Sequence, residues 1–234
     1  MLRLQNVTVV YPDKTKAIDG IDMTVGKDEN IALIGENGAG KTSLLLAIVG
    51  ILDPVDGTIA IDGIQLTKKT VIEFRKKIGL VFQNPDDQLF MPFVFDDIAF
   101  GCRNFGLSEE EVKIRVDESL VRLNIHHLRS RSSLKLSEGE KRMAAIATVL
   151  AMDPSVLMFD EPTAFLDHKA KHLLIETLKK LHHTKIIATH DMAFAAEVCD
   201  RVIILKNGKI AADGTLALLH DRELMHSCGL EAIA

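Results

Sequence analysis

Tryptophan is absent from this 234-residue chain, and Tyr11 is its only tyrosine. Aromatic residues make up 5% of the sequence against 47% hydrophobic, so the core must be built from Ile, Leu, Val and Ala. The three cysteines, Cys102, Cys199 and Cys228, are an odd number at long spacings. That excludes a disulfide framework and a zinc pattern, and a reducing compartment is the expected setting. No apolar run is long enough to cross a bilayer: the longest weakly polar stretch, Ala144 to Met152, carries Thr148 and is far too short. The start, Met1-Leu2-Arg3-Leu4-Gln5, shows no secretory leader. A basic excess is missing too. The formal net charge of -5 argues against a dedicated nucleic-acid binder. Repeats, low-complexity tracts and flexible linkers are also lacking.

What is present is an alternation of strand and helix patterns along the whole length, which points to a largely parallel sheet. Strands are expected at Leu2–Val10, Ile18–Val25, Asn30–Ile34, Gly57–Ile61, Ile78–Phe82, Val156–Phe159, Ile186–Thr189 and Val202–Leu205. A turn is expected at Asp19-Gly20 between the first two. A helix is expected at Lys41–Val49, and a helix-rich stretch from about Phe95 to Leu150. Asn207-Gly208 is a hairpin signal before Lys209–Ala212. The expected organisation is α/β: a single unit over 1–234, with a helical subdomain inserted at roughly 83–150.

The most specific motif is GENGAGKT, which fits the phosphate-loop pattern without a gap. It comprises Gly35, Glu36, Asn37, Gly38, Ala39, Gly40, Lys41 and Thr42, with Ser43 following. The glycines let the backbone turn its N–H groups toward phosphate oxygens. Lys41 would reach the β- and γ-phosphates, and Thr42 would offer a hydroxyl to Mg²⁺. The helix starting near Lys41 would direct its positive end at the nucleotide. The partner motif is VLMFDEP, where Asp160 and Glu161 stand at the C-terminal end of a buried strand. Asp160 would hold Mg²⁺, and Glu161 would polarise an attacking water. Mg-ATP is therefore the expected ligand and hydrolysis the expected reaction.

With these motifs in this order, the chain resembles the ABC ATPases over essentially its full length. The resemblance implies a P-loop fold with a mostly parallel core sheet, an antiparallel β subdomain and the inserted helical subdomain. It implies that Tyr11 stacks on adenine, and that Gln83 senses Mg²⁺ and the γ-phosphate and connects to a transmembrane partner. His190, after the strand Ile186–Thr189, matches the histidine that contacts the γ-phosphate. Asp167, in Ala164-Phe165-Leu166-Asp167, matches the acid of a loop that crosses a dimer interface. The signature motif LSGGQ occurs here as LSEGE, Leu136 to Glu140. There Ser137 and the N–H of Gly139 would face the γ-phosphate bound by a second subunit. Ser137 and Glu140 also form a capping-box pattern. Glu138 and Glu140 add carboxylates beside an anionic ligand, so dimer closure is expected to be weaker than with LSGGQ, partly offset by Lys141 and Arg142.

The segment FQNPDDQLF, Phe82 to Phe90, followed by Asp96-Asp97-Ile98-Ala99-Phe100-Gly101, resembles the ATPases of energy-coupling factor importers, most of all the cobalt/nickel type. The resemblance implies a homodimer at the cytoplasmic face of the membrane, with an integral coupling subunit and a substrate-binding membrane subunit. Leu89, Phe90, Phe93, Val94 and Phe95 are candidates to line the groove for a coupling helix. A vitamin-type importer, another ABC transporter and a non-transport cassette are the alternatives. A lone cassette, no heptad stretch and the acidic balance disfavour the last. A cassette without catalysis is disfavoured by the presence of Lys41, Glu161 and His190. The histidine groups His168/His172, His126-His127, His182-His183 and His226 near Cys228 lack complete ligand sets and are expected on solvated helix faces.

Overall fold

Alternate residues of the buried strands go to opposite sides of one sheet. Strand β3 (Asn30–Ile34) sends Ile31 and Leu33 into one apolar layer and Ala32 and Ile34 into another. Strand β7 (Val156–Asp160) divides Val156 and Met158 from Leu157 and Phe159 in the same way. A strand buried on both faces must be apolar throughout, hence the unbroken runs in the sequence. The computed structural model describes residues 1–233; residue 234, the expected end of the cassette, lies outside the described residues.

The sheet has six strands in the order β10-β9-β3-β8-β7-β6, with β6 (Ile78–Val81), β8 (Thr184–Thr189), β9 (Arg201–Lys206) and β10 (Lys209–Thr215). All neighbours pair in parallel except β10, which returns antiparallel to β9 through the expected Asn207-Gly208 turn. A second, antiparallel sheet orders β2-β1-β4-β5, from β1 (Leu2–Val10), β2 (Lys16–Val25), β4 (Asp56–Ile61) and β5 (Ile64–Gln65). With α1 (Lys41–Ile48) and Phe74 of α2 (Val71–Arg75) it covers one face of the six-stranded sheet. The helices α3 (Val94–Asn104), α4 (Glu109–Arg122) and α5 (Glu138–Leu150) lie in sequence between β6 and β7. They cover the other face with α6 (His168–Lys180), α7 (Met192–Val198) and α8 (Arg222–Ser227). The fold is thus the expected P-loop α/β arrangement with an antiparallel sheet beside it.

Two expectations shift. Asp19-Gly20 is not a turn: β2 runs unbroken through it, and the chain reverses at Pro12-Asp13, closed by Tyr11 N–H donating to the Thr15 carbonyl at 2.9 Å. Gly20, at φ +65, instead sits where the β1–β2 register shifts, so the glycine marks a bulge rather than a reversal. The expected capping box at Ser137 and Glu140 does form, and an equivalent one at Ser108 and Glu111 starts α4. The three cysteines are free and buried, and burial pushes the Cys199 thiol up to about 12. Among the described residues, no helix is long and apolar enough to cross a membrane.

The contact between β6 and α5 leaves no room for a side chain at Gly79, where a Cβ would stand 2.1 Å from Val149 Cγ1. Gly79→Ala should therefore destabilise the fold by about 1–3 kcal/mol. Val149→Ala added to it should recover most of the loss. Urea midpoints of the single and double variants measure both.

Candidate functional site

Between β3 and α1 the backbone passes through left-handed geometry at Gly38 (φ +84) and Gly40 (φ +108). Gly40 also lies so close to β2 that a Cβ would come within 2.6 Å of the Ala17 carbonyl. Gly35 has no unusual dihedral; it is glycine because a Cβ there would meet the Leu205 carbonyl at 2.6 Å. Among the described α-helices, α1 alone lacks both a side-chain cap and an acid in its first turn. Its leading N–H groups and positive dipole end are suited to an anion from outside the chain. Over this turn opens a cavity of about 600 Å³. The loop contributes Asn37, Gly38, Gly40, Lys41, Thr42 and Ser43 to its floor.

Other strand ends converge on the same floor, all at the carboxyl edge of the sheet. Lys41 is buried, and its Nζ donates to the carbonyls of Gly35 at 2.7 Å and Glu36 at 3.2 Å. The same Nζ lies 3.7 Å from Glu161 Oε1. Glu161 Oε2 is 2.8 Å from His190 Nδ1 and accepts the His190 backbone N–H at 3.3 Å. The Glu161 backbone takes φ +42, a costly conformation for a residue with a side chain, and its N–H donates to the Ala188 carbonyl at 2.8 Å. Thr42 Oγ1 donates to Asp160 Oδ2 at 2.8 Å. Burial pushes the Asp160 carboxyl pKa up, against the Thr42 hydrogen bond.

The other Asp160 oxygen, Oδ1, is buried without a hydrogen-bond partner. A buried carboxylate oxygen left open beside a hydroxyl suits a hard divalent cation, which takes oxygen ligands. Thr42 and Asp160 therefore fit Mg²⁺, with exposed Gln83 on the cavity wall as a further oxygen donor. Tyr11 also lines the cavity, its hydroxyl 2.9 Å from Ser43 Oγ.

Not every candidate is here. Ser137, Gly139 and Asp167 do not line this cavity; they meet where α5 and α6 begin. Asp167 Oδ1 accepts the Ala170 N–H at 2.8 Å, and a Cβ on Gly139 would stand 2.9 Å from the Ala170 methyl. Glu36 turns away toward Gly229, where a Cβ would overlap its carboxylate. Arg142 does not offset Glu138 and Glu140 toward an outside anion. It is 1% exposed and donates to the carbonyls of Phe82 and Gln83. Lys141 is engaged by Asp86 Oδ1 at 2.8 Å and Glu138 at 3.3 Å. Of the aromatic segment, Leu89 and Val94 join the core, and the Arg129 guanidinium carbon lies 4.3 Å from the Phe95 ring centroid. Phe90, Phe93 and Phe100 are exposed. No metal-ligating cluster of His, Cys, Asp or Glu occurs among the described residues. Of the paired histidines, His183 departs from the expected solvated helix face. It follows α6, is half-buried with Nδ1 unpartnered, and burial lowers its pKa.

Residues 18–164 match the family described as ABC transporter. The chain belongs to the ABC transporter family. It is 40% identical over 234 residues to the energy-coupling factor transporter ATP-binding protein EcfA of Carboxydothermus hydrogenoformans, covering 99% of this chain and 87% of that one. The structure of cbiO1 from Clostridium perfringens, part of the ABC transporter complex cbiONQ, superimposes with TM-score 0.83 at 39% identity, covering 97% of this chain and 93% of that one. A dimeric ATP-binding cassette in a post-hydrolysis state, bound to ADP and Pi, superimposes with TM-score 0.81 at 27% identity, covering 92% and 99%. This ABC cassette is an ATPase.

Sequence reasoning missed part of the cassette's cavity wall: Thr15, Lys16 and Ala17 at the start of β2, and Asn207 and Gly208 at the β9–β10 turn. The turn signal at Asn207-Gly208 was visible. Its proximity to β2, where a Cβ on Gly208 would sit 2.7 Å from the Ala17 carbonyl, needed the fold.

The Asp160 environment makes a signed prediction. Its folded pKa is raised, so ionising it costs folding free energy. Stability falls as pH rises from the unfolded carboxylate value, about 4, through the raised folded one. Asp160→Asn should raise the thermal midpoint of the nucleotide-free chain at neutral pH by ~2–4 °C. That advantage should disappear below about pH 4. The variant should also lose the Mg²⁺-dependent part of its ATP affinity. Calorimetric scans at the two pH values and nucleotide titrations with and without Mg²⁺ test each half.

Proposed function

We propose that this ABC ATPase is the motor subunit of an energy-coupling factor importer, moving cobalt or nickel ions, and that it works as a homodimer at the cytoplasmic face of the membrane. The observation that carries the importer reading is the pairing of exposed Gln83, on the nucleotide cavity, with exposed Phe90 and Phe93 further along the same segment and exposed Phe100 on α3. Phe90 and Phe100 meet edge to face at 4.9 Å, forming an apolar ridge suited to a helix from an integral coupling subunit. A substrate-binding membrane subunit completes the assembly. The cobalt/nickel assignment rests on the Phe82–Phe90 segment and on the likeness to cbiO1.

In this mechanism the N–H groups at the start of α1 and the Lys41 ammonium hold the β- and γ-phosphates. Tyr11 stacks on adenine. Thr42, Asp160 and Gln83 would hold Mg²⁺, which would neutralise phosphate charge. Glu161 accepts a proton from the attacking water, oriented by its contact with His190, and the His190 side chain, 67% exposed, reaches toward the γ-phosphate. Ser137, Gly139 and Asp167 of a second copy close the site from the other side, in a two-fold pair.

Glu161→Gln should keep ATP binding and lower turnover by about 10²–10⁴-fold. Wild-type turnover in that variant would remove the base assignment. Closure has its own signature in Ser137. Glu140 Oε2 accepts both the Ser137 hydroxyl and its N–H at 2.8 Å, so Ser137, one of the two donors expected to face the partner's phosphate, is already engaged. In the Glu161→Gln background, Glu138→Gly with Glu140→Gln should tighten ATP-driven dimerisation, read by analytical ultracentrifugation. For the cargo, cells lacking the chain should lose uptake of labelled cobalt or nickel. Retained metal uptake with lost vitamin uptake would move the assignment to a vitamin importer.

A further inference from the structure

The most buried large charged side chain of the molecule is unused in that mechanism. Arg142 lies in the second turn of α5 at 1% exposure, and its Nε has no hydrogen-bond partner. Burial pulls its pKa down to about 10. A long cationic side chain is kept there at a cost, and its contacts show what it does. Nη1 donates to the Phe82 carbonyl at 2.7 Å and Nη2 to the Gln83 carbonyl at 2.6 Å. A planar guanidinium grips the two successive carbonyls with two separate nitrogens fixed in one plane, a fork that the single nitrogen of an ammonium does not present.

The grip is not isolated. One residue earlier on α5, Lys141 holds Asp86. From the other side, Gln88 accepts the Phe82 N–H at 3.1 Å and donates to the Ala145 carbonyl at 2.8 Å and Thr148 Oγ1 at 2.7 Å. Three side chains thus fasten residues 82–88 to α5 along two of its turns. The fastened segment carries Gln83 at one end and leads into the exposed Phe90 at the other.

We propose that Arg142 is a positioning residue, which locks the Gln83 backbone to α5 so that the LSEGE helix start and the Phe82–Phe90 segment move as one body. This rests on the proposed role of Gln83 at the nucleotide. The catalytic geometry of Gln83 then depends on α5, and a shift of the α5 N-terminus is delivered to the partner-facing phenylalanines without slack.

The test uses the full-length chain with Arg142→Met, Arg142→Lys and Gln83→Ala. Arg142→Met removes a buried charge and keeps most of the volume, so the fold should persist. Its ATP affinity should stay within about twofold, while kcat falls between about tenfold and a hundredfold with little change in KM. Arg142→Lys should recover only part of kcat. In hydrogen exchange, the amides of Phe82, Gln88 and Leu89 should lose protection in Arg142→Met while those of residues 144–150 keep it. If both Arg142 variants fail to fold, the wild-type chain still decides. Under mild urea, Phe82, Gln88 and Leu89 should open together with the first turns of α5, and separate opening overturns the proposal. Wild-type kcat in Arg142→Met with slow turnover in Gln83→Ala also overturns it. Wild-type turnover in Gln83→Ala would instead overturn the reading of Gln83 at the nucleotide.

Discussion

Three adjacent strands of the sheet, β3, β8 and β7, are tied together at their carboxyl ends by three short side-chain contacts, and the rest of the site follows from that closure. Thr42, in the first turn of α1 beyond β3, reaches across β8 to Asp160 at the end of β7 at 2.8 Å. Lys41 lies against Glu161 at 3.7 Å, and Glu161 against His190, at the end of β8, at 2.8 Å. Charges held this close with little solvent cannot rearrange independently. The hydroxyl and carboxylate oxygens that suit a cation are therefore held to each other, and the glutamate that suits a water proton is held between the lysine and the histidine. The parallel sheet makes this possible because all its strands finish at the same edge, and both faces are sealed by apolar layers that leave that edge as the polar outlet.

Such closure has a cost that is visible locally. Asp160 is buried with one oxygen unpartnered, Lys41 is buried against carbonyls, and Glu161 holds a positive φ. Each departs from what stability alone would select. Strain of this kind persists where surrounding structure over-determines it. Here the surroundings are β7 and β8, whose register from Val156↔Thr184 to Asp160↔Ala188 runs without a shift, so Glu161 is delivered to its place by an unbroken ladder.

How legible this was depended on the distance over which each feature is determined. The phosphate loop was readable because its geometry is local: positive φ at Gly38 and Gly40 is a property of a few consecutive residues. The buried strands were readable because burial on both faces leaves no alternation to confuse. The Ser137 capping box was readable for the same local reason. By contrast, Gly20 looks like a turn and is a bulge, because the deciding fact is the register with β1. The five neighbouring apolar residues of the 89–95 segment divided between core and surface according to what α3 packs on, which no run of phenylalanines discloses. Arg142 resembled a surface charge beside Lys141. Its direction into the molecule is set by the carbonyls of a loop about 60 residues away in sequence.

The two helix starts of the site make opposite provisions for an anion. At α1 no side chain caps the first turn and no acid stands in it. At α5 the first turn holds Glu138 and Glu140, and Glu140 already satisfies the Ser137 hydroxyl and N–H. Nucleotide arriving at the leading N–H groups of α1 has no capping carboxylate to displace, whereas a phosphate approaching α5 must compete with a carboxylate that hydrogen bonding to Ser137 keeps below its usual pKa. In the proposed dimer, binding and closure are therefore energetically separate. Each chain acquires ATP on its own loop, and pairing requires Ser137 to exchange an internal acid for an external one. The fastening of α5 to the glutamine segment then gives that exchange a mechanical outlet, since the helix start that must adjust is the one to which Gln83 is tied.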